Sequence, residues 1–514
     1  MKAVYRSRVL VLGNGPVDSV PFDQRYLTLH RVALSRLEDI TETNTARGVL
    51  LATFPAKPSL IGSYFQKQFR RVCEAGLITI IRPTNKQDRD QAYAFRNEAY
   101  KQAKLFAEIT DSLKREEKFQ SLPWIQIKEN DVEIAEAFAR LDNWPPIGSP
   151  ELVMCDDDVL EPKLAAMLKR AFNDCKRITI RRLRGGKTAE GTFCVLANLD
   201  NGLYGPQPMP FFVKIDSFDM IQGEMENYSQ FVEPFIPFHL HPSVDVARCV
   251  QTLTTGALIC DFVENAAPLR DALRAGQADG AIYSLFEVTL RGIRTHTQNS
   301  PKIPGVVEAF LDNRVKARQI EENHPARIEK LRKRGMHRSP VEIESSLRNH
   351  ASTIGARQGI YHGDLHYTNV MVRHRDAIVI DFGSMNQFGP LYADPAILEV
   401  SLVFGTDHQD DPKSFDAWCS FVDSIYSDPL RPPLSKGDHP QFVWLAKAVR
   451  ELRQSIAGCE FEKKEALIIL AGCMLRYARN SDKFKDEALQ TLSENRRAYA
   501  LAVAYRLCEQ VETL

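Results

Sequence analysis

The feature that most constrains this chain lies at residues 362–383. His362-Gly363-Asp364-Leu365-His366 and then Asn369 precede the apolar run 370–372, and a second apolar run, 377–380, leads into Asp381-Phe382-Gly383. Polar groups flanked by buried strands are costly unless something satisfies them. VMV and AIVI read as two strands of a hairpin turning at RHRD, which sets Asn369 and Asp381 at the same end of it. An aspartate five residues before an asparagine, with a second aspartate at a strand end, is what phosphoryl transfer from a nucleoside triphosphate needs. One carboxylate accepts or orients the attacking hydroxyl; the asparagine and the other carboxylate hold magnesium through hard oxygen donors. Those residues are Asp364, Asn369 and Asp381, and Gly383 is expected to let the backbone turn away from the metal.

At this point H-G-D-L-H-x-x-N followed by I-D-F-G resembles the aminoglycoside phosphotransferase and choline kinase superfamily, which has a protein-kinase-like fold. The resemblance implies an α+β bilobal domain with a helical C-terminal region. It makes Asp364 the catalytic base, Asn369 and Asp381 the magnesium ligands, and His362 a structural histidine of the catalytic loop. His366 falls where protein kinases place a lysine, so it either approaches the transferred phosphate or packs the loop. GPLYADPAILEVSL resembles the family's next segment, in which Asp394 braces the loop and opens a helix.

Such a domain needs a nucleotide lobe upstream, with ATP and Mg2+ as its ligands. ITIRRLRGGKTAEGTFCVLANL (178–199) reads as a hairpin whose turn, with Gly185, Gly186 and Lys187, would cover phosphates with backbone amides. FFVKI (211–215) puts Lys214 on an apolar strand, and MIQGEMENYSQFV (220–232) supplies a helix. A buried ammonium needs a counter-charge. Glu224 is the expected partner because Tyr228, four residues on, shares its helix face, and Glu226 is the reserve. GALICDFVEN (256–265) resembles the hinge between lobes, where backbone groups from Cys260 to Val263 would bind adenine.

The N-terminal 145 residues alternate strand-like runs, at 8–15, 48–55 and 77–83, with helix-like ones at 59–76, 90–110 and 131–142, which predicts a parallel α/β sheet. The order resembles a response-regulator receiver domain. Where a working receiver has its acidic pair and phosphoacceptor aspartate, this chain has Gly13-Asn14 and Ala52-Thr53, and only Lys128 matches. The expectation is a receiver-like interaction module without a phosphoacceptor. The proline-rich stretch 143–152 separates it from a nucleotide-binding lobe at 153–265 and a mostly helical lobe at 266–514, with a charged insertion at 304–350.

Lys plus Arg and Asp plus Glu both total 66 in 514 residues, and the zero net charge argues against nucleic acid as a partner. Ten scattered cysteines without paired spacing point to a reducing cytoplasm, and no apolar run is long enough to span a bilayer. The leading expectation is an ATP- and magnesium-dependent phosphotransferase acting on a hydroxyl of a small molecule or protein, in a signalling or defence setting. The alternative is a nucleotide-binding regulatory protein that docks a partner through the receiver-like domain.

Overall fold

Strands buried on both faces read as continuous apolar runs, and Ile78-Thr79-Ile80-Ile81 is buried along its whole length. It is one of five parallel strands: β1 (Ser7–Leu12), β2 (Leu27–Val32), β3 (Ala46–Leu51), β4 (Ile78–Ile81) and β5 (Ile125–Ile127), in the order β2-β1-β3-β4-β5. Strand β2 has no counterpart among the sequence expectations. It is an edge strand, and an edge tolerates the charged and polar Arg31 and His30 that weaken its apolar signal. Helices at Lys86–Gln102 and Asp131–Leu141 stand close to two of the three expected positions.

The computed structural model describes residues 7–12, 27–32, 46–51, 78–83, 85–102, 124–141, 150–156, 159–183, 191–199, 208–252, 254–433, 440–459 and 461–514. The third expected helix, at 59–76, and the positions Gly13, Asn14, Ala52 and Thr53 lie outside them. The chain divides into two compact units, Met1–Met225 with Ser243–Phe262, and Glu226–Pro242 with Val263–Leu514.

Besides the parallel sheet, the first unit holds a six-stranded one built from β6 (Glu151–Met154), β7 (Cys175–Arg182), β8 (Gly191–Leu199), β9 (Met209–Ser217), β10 (Val250–Gln251) and β11 (Thr255–Asp261). Its order is β10-β11-β9-β8-β7-β6, antiparallel except for the β6–β7 pair. Leu164, Met167, Leu168 and Ala171 of the helix Pro162–Ala171 pack into one core with Ile178, Ile180, Val195, Val213 and Ile215. Trp124, fully buried ahead of β5, meets Phe218 edge-on at 4.6 Å. Phe218 begins the helix Phe218–Asn227 that carries Glu224.

The second unit is mostly helical. Its strands are β12 (Ala267–Pro268), β13 (Lys302–Pro304), β14 (Gly355–Tyr361), β15 (Val370–Arg373), β16 (Asp376–Val379) and β17 (Asn386–Pro390). The charged segment 304–350 folds into the helices Val306–Arg314, Ala317–Asn323, Pro325–Arg332 and Pro340–Ala351. The last starts with a capping box between Ser339 and Glu342 and a proline in its first turn. Arg327 and Arg338 tie the segment to Glu494 and Glu512 of the C-terminal helix Glu487–Thr513, each at 2.7 Å. The buried pair Arg453–Glu399 links the helices Val443–Ile456 and Ala393–Phe404 at 2.7 Å. No described helix is long and apolar enough to cross a membrane.

Candidate active site

The hairpin at the centre of the second unit pairs Val370 with Val379, Met371 with Ile378 and Val372 with Ala377. One step beyond, the Ile380 N–H donates to the Asn369 carbonyl at 3.0 Å, so Asn369 and Asp381 leave the same end of the hairpin. The Asn369 N–H bonds the His366 carbonyl at 2.8 Å, and its side-chain Nδ2 donates to the Asp364 carbonyl at 3.0 Å. With the amide nitrogen so engaged, Oδ1 is the end of Asn369 suited to a cation. Asp381 is exposed and takes φ 65°, left-handed for a residue with a side chain. This corrects the expectation for Gly383, which is not among the described residues of positive φ. The turn is made by the aspartate itself, strain of the kind that collects at functional positions.

The loop before Asn369 is braced from beneath. The His362 and Gly363 N–H groups donate to the two carboxylate oxygens of Asp394 at 2.7 and 2.9 Å. Asp394 lies in the first turn of the helix Ala393–Phe404, where burial pushes its pKa up against the pull of these two backbone donors. His362 is fully buried. Its Nδ1 accepts from the Asp364 N–H at 3.3 Å, so its proton sits on Nε2, which faces the Ile380 carbonyl at 3.1 Å. One ring thus joins the backbone of Asp364 to the strand that ends in Asp381. Gly363 has φ 80°, and a Cβ there would strike the Ser384 carbonyl oxygen.

The Asp364 side chain stands between Arg476 and His366. Arg476 of the helix Lys463–Arg479 reaches Oδ1 with Nη2 at 2.8 Å, and His366 Nε2 is 3.5 Å from Oδ2. Burial pushes the Asp364 pKa up, but the His366 hydrogen bond and the Arg476 charge outweigh it and hold the carboxyl well below the ordinary range. The other ring nitrogen of His366, Nδ1, meets the Thr368 hydroxyl at 2.7 Å.

In the first unit, alternation along β9 sends Phe211, Val213 and Ile215 into the core and Phe212 and Lys214 to the opposite face. There Lys214 Nζ meets Glu224 Oε2 at 2.8 Å, with the two side chains only 10% and 4% exposed. Glu226 is exposed. Cys260, on β11 opposite Phe212, is buried in a small cluster with Ile221 and Leu258. Val263 follows where the chain passes from the first unit into the second. Gly185, Gly186 and Lys187 lie outside the described residues, while the strands on either side, β7 and β8, pair antiparallel as a hairpin requires.

Two residues that carry no sequence signal take part. Arg476 has just been described. Asn227, within the second unit, donates from Nδ2 to the carbonyls of Phe382 and Gly383 at 3.0 and 3.3 Å, next to a contact between the rings of Tyr228 and Phe382 at 6.0 Å.

Among solved structures, the chain is similar to an aminoglycoside phosphotransferase from Streptomyces rimosus in complex with ADP and streptomycin. The identity is 15%, covering 60% of this chain and 96% of that one, with a TM-score of 0.35. It is also similar to a choline/ethanolamine kinase family protein from Mesorhizobium loti, at 13% identity, 64% and 92% coverage and a TM-score of 0.34. No curated protein matches the chain. Over residues 244–424, 181 of its 514, the chain matches the phosphotransferase enzyme family.

Proposed function

We propose that this protein transfers a phosphoryl group from ATP, with magnesium, to a hydroxyl of an acceptor. The observation that supports the reading is the hairpin from whose same end Asn369 and Asp381 leave, with Asn369 anchored to the backbone of Asp364. The donor set fits magnesium: the amide oxygen of Asn369 and the carboxylate of Asp381, both hard and the latter exposed, would hold it. When bound, the metal neutralises charge on the transferring phosphates. Asp364 aligns the acceptor hydroxyl and takes its proton as the oxygen attacks. His362 and Asp394 fix the loop. His366 stands beside Asp364, in reach of the phosphoryl group in this reading. Lys214, held by Glu224, binds the α- and β-phosphates, Gly185, Gly186 and Lys187 cover them, and the backbone from Cys260 to Val263 holds the adenine.

The match of residues 244–424 to the phosphotransferase enzyme family supports transfer chemistry over bare nucleotide binding. For the N-terminal region we favour a receiver-like module that engages a protein partner. The strand order β2-β1-β3-β4-β5 supports it, being one of the common doubly wound orders. In a regulatory protein that only binds nucleotide, Asp364→Asn would leave function intact. In an enzyme the same change lowers turnover by about 100- to 10,000-fold and leaves ATP affinity within a few-fold. Single-turnover and binding measurements on one variant separate the two.

A further inference from the structure

We infer that the acceptor is an anionic small molecule, a hydroxyl compound whose carboxylate or phosphate is held by Arg314, Arg476 and Arg479 beside Asp364. The inference rests on the phosphotransferase reading and names the substrate class of that site.

Three guanidinium groups belong to this neighbourhood. Arg476 contacts Asp364 directly at 2.8 Å. Arg479 follows three residues later on the same helix, a spacing that places the two on one face. Arg314 ends the helix Val306–Arg314, and its Nη2 lies 2.7 Å from the point where a Cβ at Gly363 would stand. Its Nε donates to the Tyr361 hydroxyl at 3.3 Å, and its guanidinium lies over the rings of Tyr361 and Phe310, at 5.3 and 5.7 Å. All three arginines are partly exposed.

What marks this group among the described residues is that a single ion pair, Arg476 with Asp364, serves three arginines. Other arginines of the same helical region meet carboxylates directly: Arg327 meets Glu494, Arg453 meets Glu399 and Arg497 meets Asp482, while Arg496 shares Asp410 with Arg270 and Arg274. Among the described residues, Asp364 is the one carboxylate in ion-pair contact with any of Arg314, Arg476 and Arg479. Asp394 is buried, already accepts from His362 and Gly363, and feels the charge of Arg314, while the carboxylate of Asp381 belongs in this reading to the metal. Burial and the charge of Arg476 lower the pKa of Arg479, as expected where cations outnumber anions. An excess of positive charge at the base repels a polyamine or a quaternary ammonium acceptor and attracts an oxyanion. The planar fork of arginine suits carboxylate and phosphate alike. Arg476 has five N–H donors, so it can keep Asp364 and still engage such a ligand.

The test uses the full-length protein and three probes: glycerate, ribose 5-phosphate and inorganic phosphate. Thermal-shift titration should show saturable stabilisation by at least one, and lose it in the double variant Arg314→Gln/Arg479→Gln, whose ligand-free melting checks that it folds. A response to glycerate alone assigns a carboxylate acceptor; a response to the other two assigns a phosphorylated one. ADP release with Mg-ATP should favour the responding class over choline and streptomycin, and Arg479→Gln alone should raise KM for it by at least 10-fold with kcat within about two-fold. No stabilisation by any probe, stabilisation that survives in the double variant, or turnover confined to choline or streptomycin would overturn the inference. The binding arm needs no nucleotide, so a chain that fails to bind ATP yet passes it would refute the phosphotransferase reading and leave the anion site standing.

Discussion

At the scale of single residues, the loop from His362 to Asn369 depends on a few backbone and charge relations. Gly363 combines a left-handed φ of 80° with close approach to the Ser384 carbonyl, so Gly363→Ala introduces both strain and collision. A loss of about 1–3 kcal/mol in chemical denaturation is expected. For Asp364 the direction of its pKa fixes a pH dependence. Its folded value lies below the ordinary value near 3.9, so folding favours the ionised form. That stabilisation is fully present above the unfolded pKa and is lost as pH falls through the folded one. Arg476→Gln removes one cause of the depression. Urea denaturation should show wild type ahead of this variant by about 1 kcal/mol at pH 7, with the gap narrowing below about pH 4. A gap that widens on acidification would contradict this origin.

At the scale of elements, what could be read from the sequence is what is local. Asn369 and Asp381 flank one hairpin, and Lys214 and Glu224 are ten residues apart on a strand and the helix that follows it, so apolar spacing alone brings each pair together. Arg476 and Asn227 reach their partners across 112 and 155 residues, and neither sits in a patterned motif, so nothing in the sequence marks them. The left-handed turn at Asp381 was hidden for another reason. Glycine is the usual residue for that conformation, and Gly383 stood close enough to draw the expectation. Strand β2 was missed because an edge strand needs little apolar character. The helix Phe218–Asn227 carries a prediction of its own. Glu224→Ala leaves the Lys214 ammonium buried without its carboxylate, which should cost about 3–5 kcal/mol in denaturation. Replacing both residues by methionine should restore most of that loss.

At the scale of the whole molecule, zero net charge conceals local imbalance, as around Arg314, Arg476 and Arg479, and composition alone would have missed it. The charged segment 304–350, which looks like a loose insertion in the sequence, is helical and spends part of its basic charge on the C-terminal helix. Within the first unit, the contact of Trp124 with Phe218 ties the N-terminal region to the helix that carries Glu224. The central claim of the proposal is that the chain binds ATP together with magnesium. The measurement that tests it most directly is calorimetry of ATP binding, with and without magnesium, in wild type and in Asp381→Asn. The account predicts that magnesium tightens binding in the wild type and that the variant loses this enhancement. No binding of ATP by the wild type under either condition would contradict it.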